Sequence, residues 1–288
     1  MPVAVVTDTT HYMPRETVKQ AGLHEVSLYV NDAGELERES AMPNFDRFYE
    51  RLRTQSELPT TSQPSIGDFL EVYEPLVESG HDIVSVHLSG DISGTCDSAR
   101  QAAAQILERG GQRRIEVVDS HSTCGGQGLI ALAAAAAARG GQSVEQVVSR
   151  AETAAAGTKI WFALDTLEFL RRGGRIGAAS AWLGGALKIK PILTIEDGVR
   201  PIERVRTEKR SFERMVDYLR ARQSDGASAW VVQHIRAPEA GARLVEAGRE
   251  VFGTDPVFFS EVGPVIGTHA GPGMLGVSGI DPALLGER

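Results

Sequence analysis

Through its first half the chain alternates short β-rich runs with helical patterns, and this alternation restricts the possible folds more than any other feature. Apolar β-rich runs at 3–7, 82–87 and 114–119 are separated by helical patterns at 66–79, 95–109 and 126–139. Such a succession predicts a parallel sheet covered by helices. Ser65 followed by Asp68, with Ile66, Phe69, Leu70, Tyr73, Leu76 and Val77 at helical spacing, predicts a capping-box start to an amphipathic helix. TTSQPS (60–65) then reads as a loop delivering hydroxyls to a helix entrance.

The second half changes character. KIKPILTIE (188–196) and VRPIERVR (199–206) are joined by Asp197-Gly198, a strong hairpin signal, and so predict an antiparallel sheet. Thr207 is placed to cap a helix through 221, and further strands are expected at 228–234 and 256–260. At 288 residues the chain exceeds the usual single-domain size. The expected division is an N-terminal α/β domain (1–157) with a mainly parallel sheet and a C-terminal α+β domain (158–288) with a mainly antiparallel one. A cleft between two domains is the default binding site.

Bulk properties remove several function classes. An apolar fraction of 42% and a charged fraction of 24% suit a soluble globular protein, and a net charge of -8 argues against general nucleic-acid binding. Met1 to Asp8 reads as a strand and lacks the pattern of a secretory signal, which predicts a cytoplasmic protein. The apolar run Leu129 to Ala138 stops at Arg139 and is too short to cross a bilayer, so no stable membrane insertion is expected. Cys96 and Cys124 form no close pair, which indicates neither a disulfide framework nor a metal site. Signatures for ATP binding, standard serine hydrolysis and zinc proteolysis are absent from the sequence.

Small hydroxyl donors concentrate in three expected βα loops: Asp8-Thr9-Thr10, Thr60-Thr61-Ser62 and Ser93-Gly94-Thr95. Each alone also reads as a helix N-cap. Together they fit a site for a small anionic group at the carboxyl ends of parallel strands. His269 sits in the glycine-rich GPVIGTHAGPGMLG (263–276), which reads either as a ligand-facing loop or as a tight turn carrying a surface histidine. Gly271-Pro272-Gly273-Met274-Leu275-Gly276 fits a dinucleotide pattern but lacks the preceding first strand. Asp119, at a strand end before the glycine loop of 119–128, can orient a partner or cap the next helix.

The stretch 171–210 holds ten Lys/Arg against four Asp/Glu, a local +6 that leaves -14 for the remainder. It reads as a solvated basic face or as a contact for phosphates or an acidic partner. Arg175 follows a helix ended by Gly173-Gly174, and Lys188 and Lys190 share one face of an expected strand.

Taken in order, VTDTT, TTSQPS, LSGDISGT, VVDSHSTCGGQG, LEFLRRGGRIG, LKIKPIL, VRT and IGTHAGPG resemble the DegV family across essentially the whole chain. Ser89-Gly90-Asp91 departs from the adjacent serines often found there. The resemblance is to the fatty-acid-binding subunit of a bacterial fatty acid kinase. It implies an acyl chain held between or beneath the two domains, with no cofactor and no metal. Thr61 or Ser62, Ser93 and His269 correspond to groups that hold the fatty acid carboxylate, and Arg175 and Arg206 to contacts with the kinase or the transferred phosphate. The implied protein is a non-catalytic carrier that presents a long-chain fatty acid to an ATP-dependent fatty acid kinase, whose acyl phosphate product enters phospholipid synthesis. Two other readings stand beside it: a serine hydrolase acting on lipid esters with Ser93 as nucleophile and His269 as base, and a lipid sensor or storage protein without a kinase.

Overall fold

The computed structural model of the chain describes residues 1–54, 57–110, 112–183 and 189–286. Its strands are β1 (Val3–Asp8), β2 (Leu23–Val26), β3 (Tyr29–Asp32), β4 (Glu35–Arg38), β5 (Thr60–Ser62), β6 (Asp82–His87), β7 (Ile115–Asp119), β8 (Lys159–Ala163), β9 (Lys190–Ile195), β10 (Val199–Val205), β11 (Ala229–His234), β12 (Phe258–Glu261) and β13 (Leu275–Ile280). The helices are α1 (Arg15–Ala21), α2 (Asp46–Thr54), α3 (Ile66–Glu78), α4 (Thr95–Glu108), α5 (Cys124–Arg139), α6 (Val144–Gly157), α7 (Glu168–Arg172), α8 (Glu208–Ser224), α9 (Pro238–Phe252) and α10 (Pro264–Ala270).

The expected parallel sheet is present, in the order β2-β1-β6-β7 with every pairing parallel. One of its two inner strands, β6, is buried along its whole length, as a strand covered on both faces must be. A six-stranded sheet in the order β10-β9-β8-β13-β11-β12 follows; only its β11–β12 edge is parallel. Asp197 and Gly198 both take positive φ, the backbone that a two-residue hairpin between β9 and β10 requires. β9 begins at Lys190 among the described residues, and Lys188 lies outside them.

Two expectations are corrected. Thr60–Ser62 is a short strand, not a loop, and pairs with β3 in a third sheet, β4-β3-β5. The glycine-rich segment around His269 is not a loop either. It forms α10 and then β13, an inner strand hydrogen-bonded to β8 and β11.

Helix α3 starts as anticipated: Ser65 Oγ accepts from the Asp68 N–H at 3.1 Å, and the Asp68 carboxylate accepts from the Ser65 N–H at 2.8 Å. Replacing Ser65 with alanine is expected to cost about 1 kcal/mol, read as a lower urea midpoint with an unchanged slope. Asp119 does not cap the helix that follows, whose N-cap is Thr123. Its carboxylate accepts from the Gly90 and His121 N–H groups, tying the loop after β6 to the loop after β7.

Candidate functional site

A cavity of about 330 Å³ opens between the two main sheets, near the lower end of the range for small-molecule sites. Its walls are largely apolar, with buried Thr123 and Gln233 among them, and come from both parts of the chain. Leu28 and Leu88 face Ile160 and Phe162 of β8, Ile195, Val199 and Met274, and all are buried. The exposed lining residues are Ser62, Gln63 and Arg175, so the cavity reaches solvent on that side.

The residues singled out in the sequence separate clearly. Thr61, Ser62, Ser93, Arg175 and His269 all line this cavity. Arg206 does not; it is exposed just beyond β10. β5 and α10 place Thr61 Oγ1 and His269 Nε2 at 2.9 Å, joining positions 208 residues apart. Ser93 Oγ lies 2.9 Å from Thr95 Oγ1 and accepts from the Thr95 N–H at the start of α4. Arg175 donates to the carbonyls of Gly173 and Ile92, which holds its side chain along the rim. Gln63 was read only as part of a capping loop. It lines the rim and donates to Ser98 Oγ at 3.0 Å, and the TTSQPS motif was the signal that contained it.

The histidine is tightly confined. Among the described residues His269 Nδ1 is buried without a hydrogen-bond partner, and a methyl group on Gly173 would stand 2.2 Å from it. Burial, aided by the neighbouring Arg175 charge, holds the imidazole down to about 4. The ring is therefore neutral at ordinary pH and fixes the Thr61 hydroxyl without bringing a charge.

The arrangement departs from a hydrolytic one. Among the described residues no hydrogen bond joins Ser93 to His269, because each is engaged elsewhere. A hydroxyl–imidazole–carboxylate chain does exist at Ser85, His87 and Asp8, with Ser85 Oγ 2.6 Å from His87 Nε2 and His87 Nδ1 3.0 Å from Asp8 Oδ2. It is fully buried, and Tyr73 donates to Ser85 Oγ at 2.7 Å. Burial alone would raise the Asp8 carboxyl, but His87, Thr10 and Gln127 more than offset it and hold it below the usual carboxylate range. This chain of bonds fastens β1 to β6 and lines no part of the cavity. Among the described residues no cluster of histidine, cysteine or acidic side chains suits a metal ion, and no helix is long and apolar enough to cross a membrane.

Two sheets closing on an apolar cavity with a hydroxyl and imidazole rim define an α/β protein built around a pocket that opens to solvent on one side. A family model described as "Uncharacterised protein, DegV family" matches residues 2–281. A DegV domain-containing protein of Streptomyces coelicolor is 40% identical over 278 residues, covering 96% of this chain and 97% of the relative. Among solved structures, DegV of Bacillus subtilis, a fatty acid binding protein, is 36% identical with a TM-score of 0.86, covering 97% of this chain and 99% of that one. A DegV family protein of Thermus thermophilus, whose structure concerns fatty acid binding, is 34% identical with a TM-score of 0.85 over the same shares. The chain belongs to the DegV family.

Proposed function

We propose that this protein carries one long-chain fatty acid and presents its carboxylate to an ATP-dependent fatty acid kinase. The observation that carries the reading is the cavity itself, with buried apolar walls and a rim where Thr61 meets His269. Burial of each acyl methylene contributes about 0.8 kcal/mol before ordering costs, and an unpaired headgroup would forfeit much of that. Thr61, Ser62 and Ser93 supply the hydroxyl donors for the carboxylate. With Nε2–H directed at Thr61 Oγ1, His269 leaves the Thr61 proton free to point at the headgroup.

On this reading, residues 1–157 and 158–288 are two domains that clasp the acyl chain. In the kinase reaction a carboxylate oxygen attacks the γ-phosphorus of ATP, the bond to the bridging oxygen breaks, and ADP leaves. The partner contributes nucleotide and metal; this chain orients the nucleophile and keeps water from the acyl phosphate. Arg175 at the rim is positioned for the transferred phosphate and exposed Arg206 for the kinase surface. The protein is thus a non-catalytic cytoplasmic carrier feeding phospholipid synthesis. Solvent extraction of purified protein followed by mass spectrometry is expected to recover one fatty acid per chain, and reconstitution with a fatty acid kinase, ATP and oleate to yield acyl phosphate. Recovery of no fatty acid sinks the reading; binding without acyl phosphate leaves a storage protein. Ester turnover abolished by Ser93→Ala would establish the hydrolase instead.

A further inference from the structure

Beside the His269 helix lies a second cavity, of about 660 Å³, to which Thr9, Tyr12 and Glu39 contribute. Glu39 is only 3% exposed, an unusual setting for a carboxylate. Its Oε1 accepts from the Val265 N–H at 2.8 Å and from the Tyr12 hydroxyl at 2.9 Å, and its Oε2 accepts from the Thr9 hydroxyl at 2.9 Å. Tyr12 in turn accepts from the Ile266 N–H at 3.1 Å, and Thr9 from the Leu28 N–H at 3.3 Å. Both hydroxyl protons are therefore committed to Glu39, and the network is wired for an ionised carboxylate.

Pro264 opens α10 and has no N–H, so Glu39 and Tyr12 hold the next two free amide groups of the helix. Tyr49 fastens the same end by donating to the carbonyls of Val262 and Gly263. His269 stands one turn further along. In a helix of seven residues, any movement of the first turn is carried directly to the imidazole.

We propose that Glu39 is a positioning residue for the carboxylate site: when ionised it locks the first turn of α10 so that His269 and Thr61 meet the fatty acid headgroup, and loss of its charge loosens that grip. The proposal rests on His269 and Thr61 holding the carboxylate. Burial pushes the Glu39 carboxyl up to about 7, against the pull of Val265, Thr9 and Tyr12, and Asp8 adds to the rise. Of the other groups packed against it, burial raises the Tyr12 and Tyr49 phenols well above their ordinary value and the Cys124 thiol to about 12. His11, Glu25, Glu261, Arg15 and Lys19 line the same second cavity.

The sign separates this role from plain structural support. An acid whose folded pKa is raised stabilises the fold below its unfolded value, 4.5, and loses that contribution as pH rises through about 7. Glu39→Gln is therefore expected to be at least as resistant to unfolding as the wild type at about pH 8, while releasing fatty acid faster. The experiment is stopped-flow release of cis-parinaric acid from the loaded protein into excess lipid vesicles, between about pH 6 and pH 8. Wild-type release should accelerate about tenfold as pH falls across that range, Glu39→Gln should stay at the fast rate throughout, and Tyr12→Phe should lie between them. A folded Glu39→Gln variant that follows the wild type at every pH overturns the proposal. Should that variant not fold, the His269 ring resonances of the wild-type chain decide: a shift with a midpoint near 7 supports the coupling, and its absence overturns it. Failure of the wild type to bind the probe sinks the carboxylate site itself, whereas binding untouched by Glu39→Gln sinks only the role of Glu39.

Discussion

Gly276→Phe is expected to lower affinity for a palmitate-length acid more than hundredfold while leaving the protein folded. Gly276 lines the cavity from β13, and the nearest neighbours of a side chain begun there are the Met274 thioether at 3.4 Å and the Gln233 backbone carbonyl at 3.9 Å. A benzyl group therefore grows into the cavity and takes the place of part of the acyl chain. Displacing roughly four methylenes removes about 3 kcal/mol of burial, which corresponds to more than a hundredfold in affinity. Melting temperature should hold or rise, because the new ring fills apolar space. Competition titrations with acids of increasing length test the idea, with the loss largest for the longest chains. Unchanged affinity for long acids would show that the chain lies elsewhere.

His269→Ala is the second large effect, at about tenfold to a hundredfold weaker binding, the range for a hydrogen bond serving a charged group. Because His269 acts through Thr61, the double variant with Thr61→Val should lose less than the sum of the two single losses. Strict additivity would mean that the two side chains grip the ligand independently. Stability should move the other way at low pH. The imidazole is depressed to about 4 from an ordinary 6.5, so the unfolded chain binds its proton first and the wild type loses stability as pH falls through that interval. His269→Ala escapes this loss, and urea unfolding at several pH values should show the two proteins diverging below about 6.5.

Which parts of this structure could be read from the sequence follows from how local each signal is. Strands β1 and β6 are mostly apolar and almost wholly buried, so their burial is written into their own residues, and the edge strand β7, half-buried, still shows an apolar β-rich run. The β9–β10 hairpin was equally legible, since Asp197-Gly198 dictates its turn. β13 was missed because glycines at 276 and 279 dilute its strand character; β8 and β11 hold it from either side. β5 is three residues long and owes its existence to β3. The rim residues Thr61, Ser62, Ser93 and His269 were legible through family motifs, but nothing local announced that Thr61 and His269 would touch. Glu39 gave no sign at all. A glutamate beside Arg38 reads as solvated, and only the distant Tyr12 and Val265 reveal it as buried.

Helix α5 is buried along most of its length, and its alanine-rich surface belongs to one core with Val5, Val84 and Val86 on one side and Val231 and Ile280 on the other. It is a keel shared by both sheets. A fragment ending at 157 would keep that helix but lose the neighbours that cover its second face, leaving a broad bare strip of methyl groups. Such a piece is destined to stick to its own copies, so a split version of this protein needs both fragments made together in the same cell.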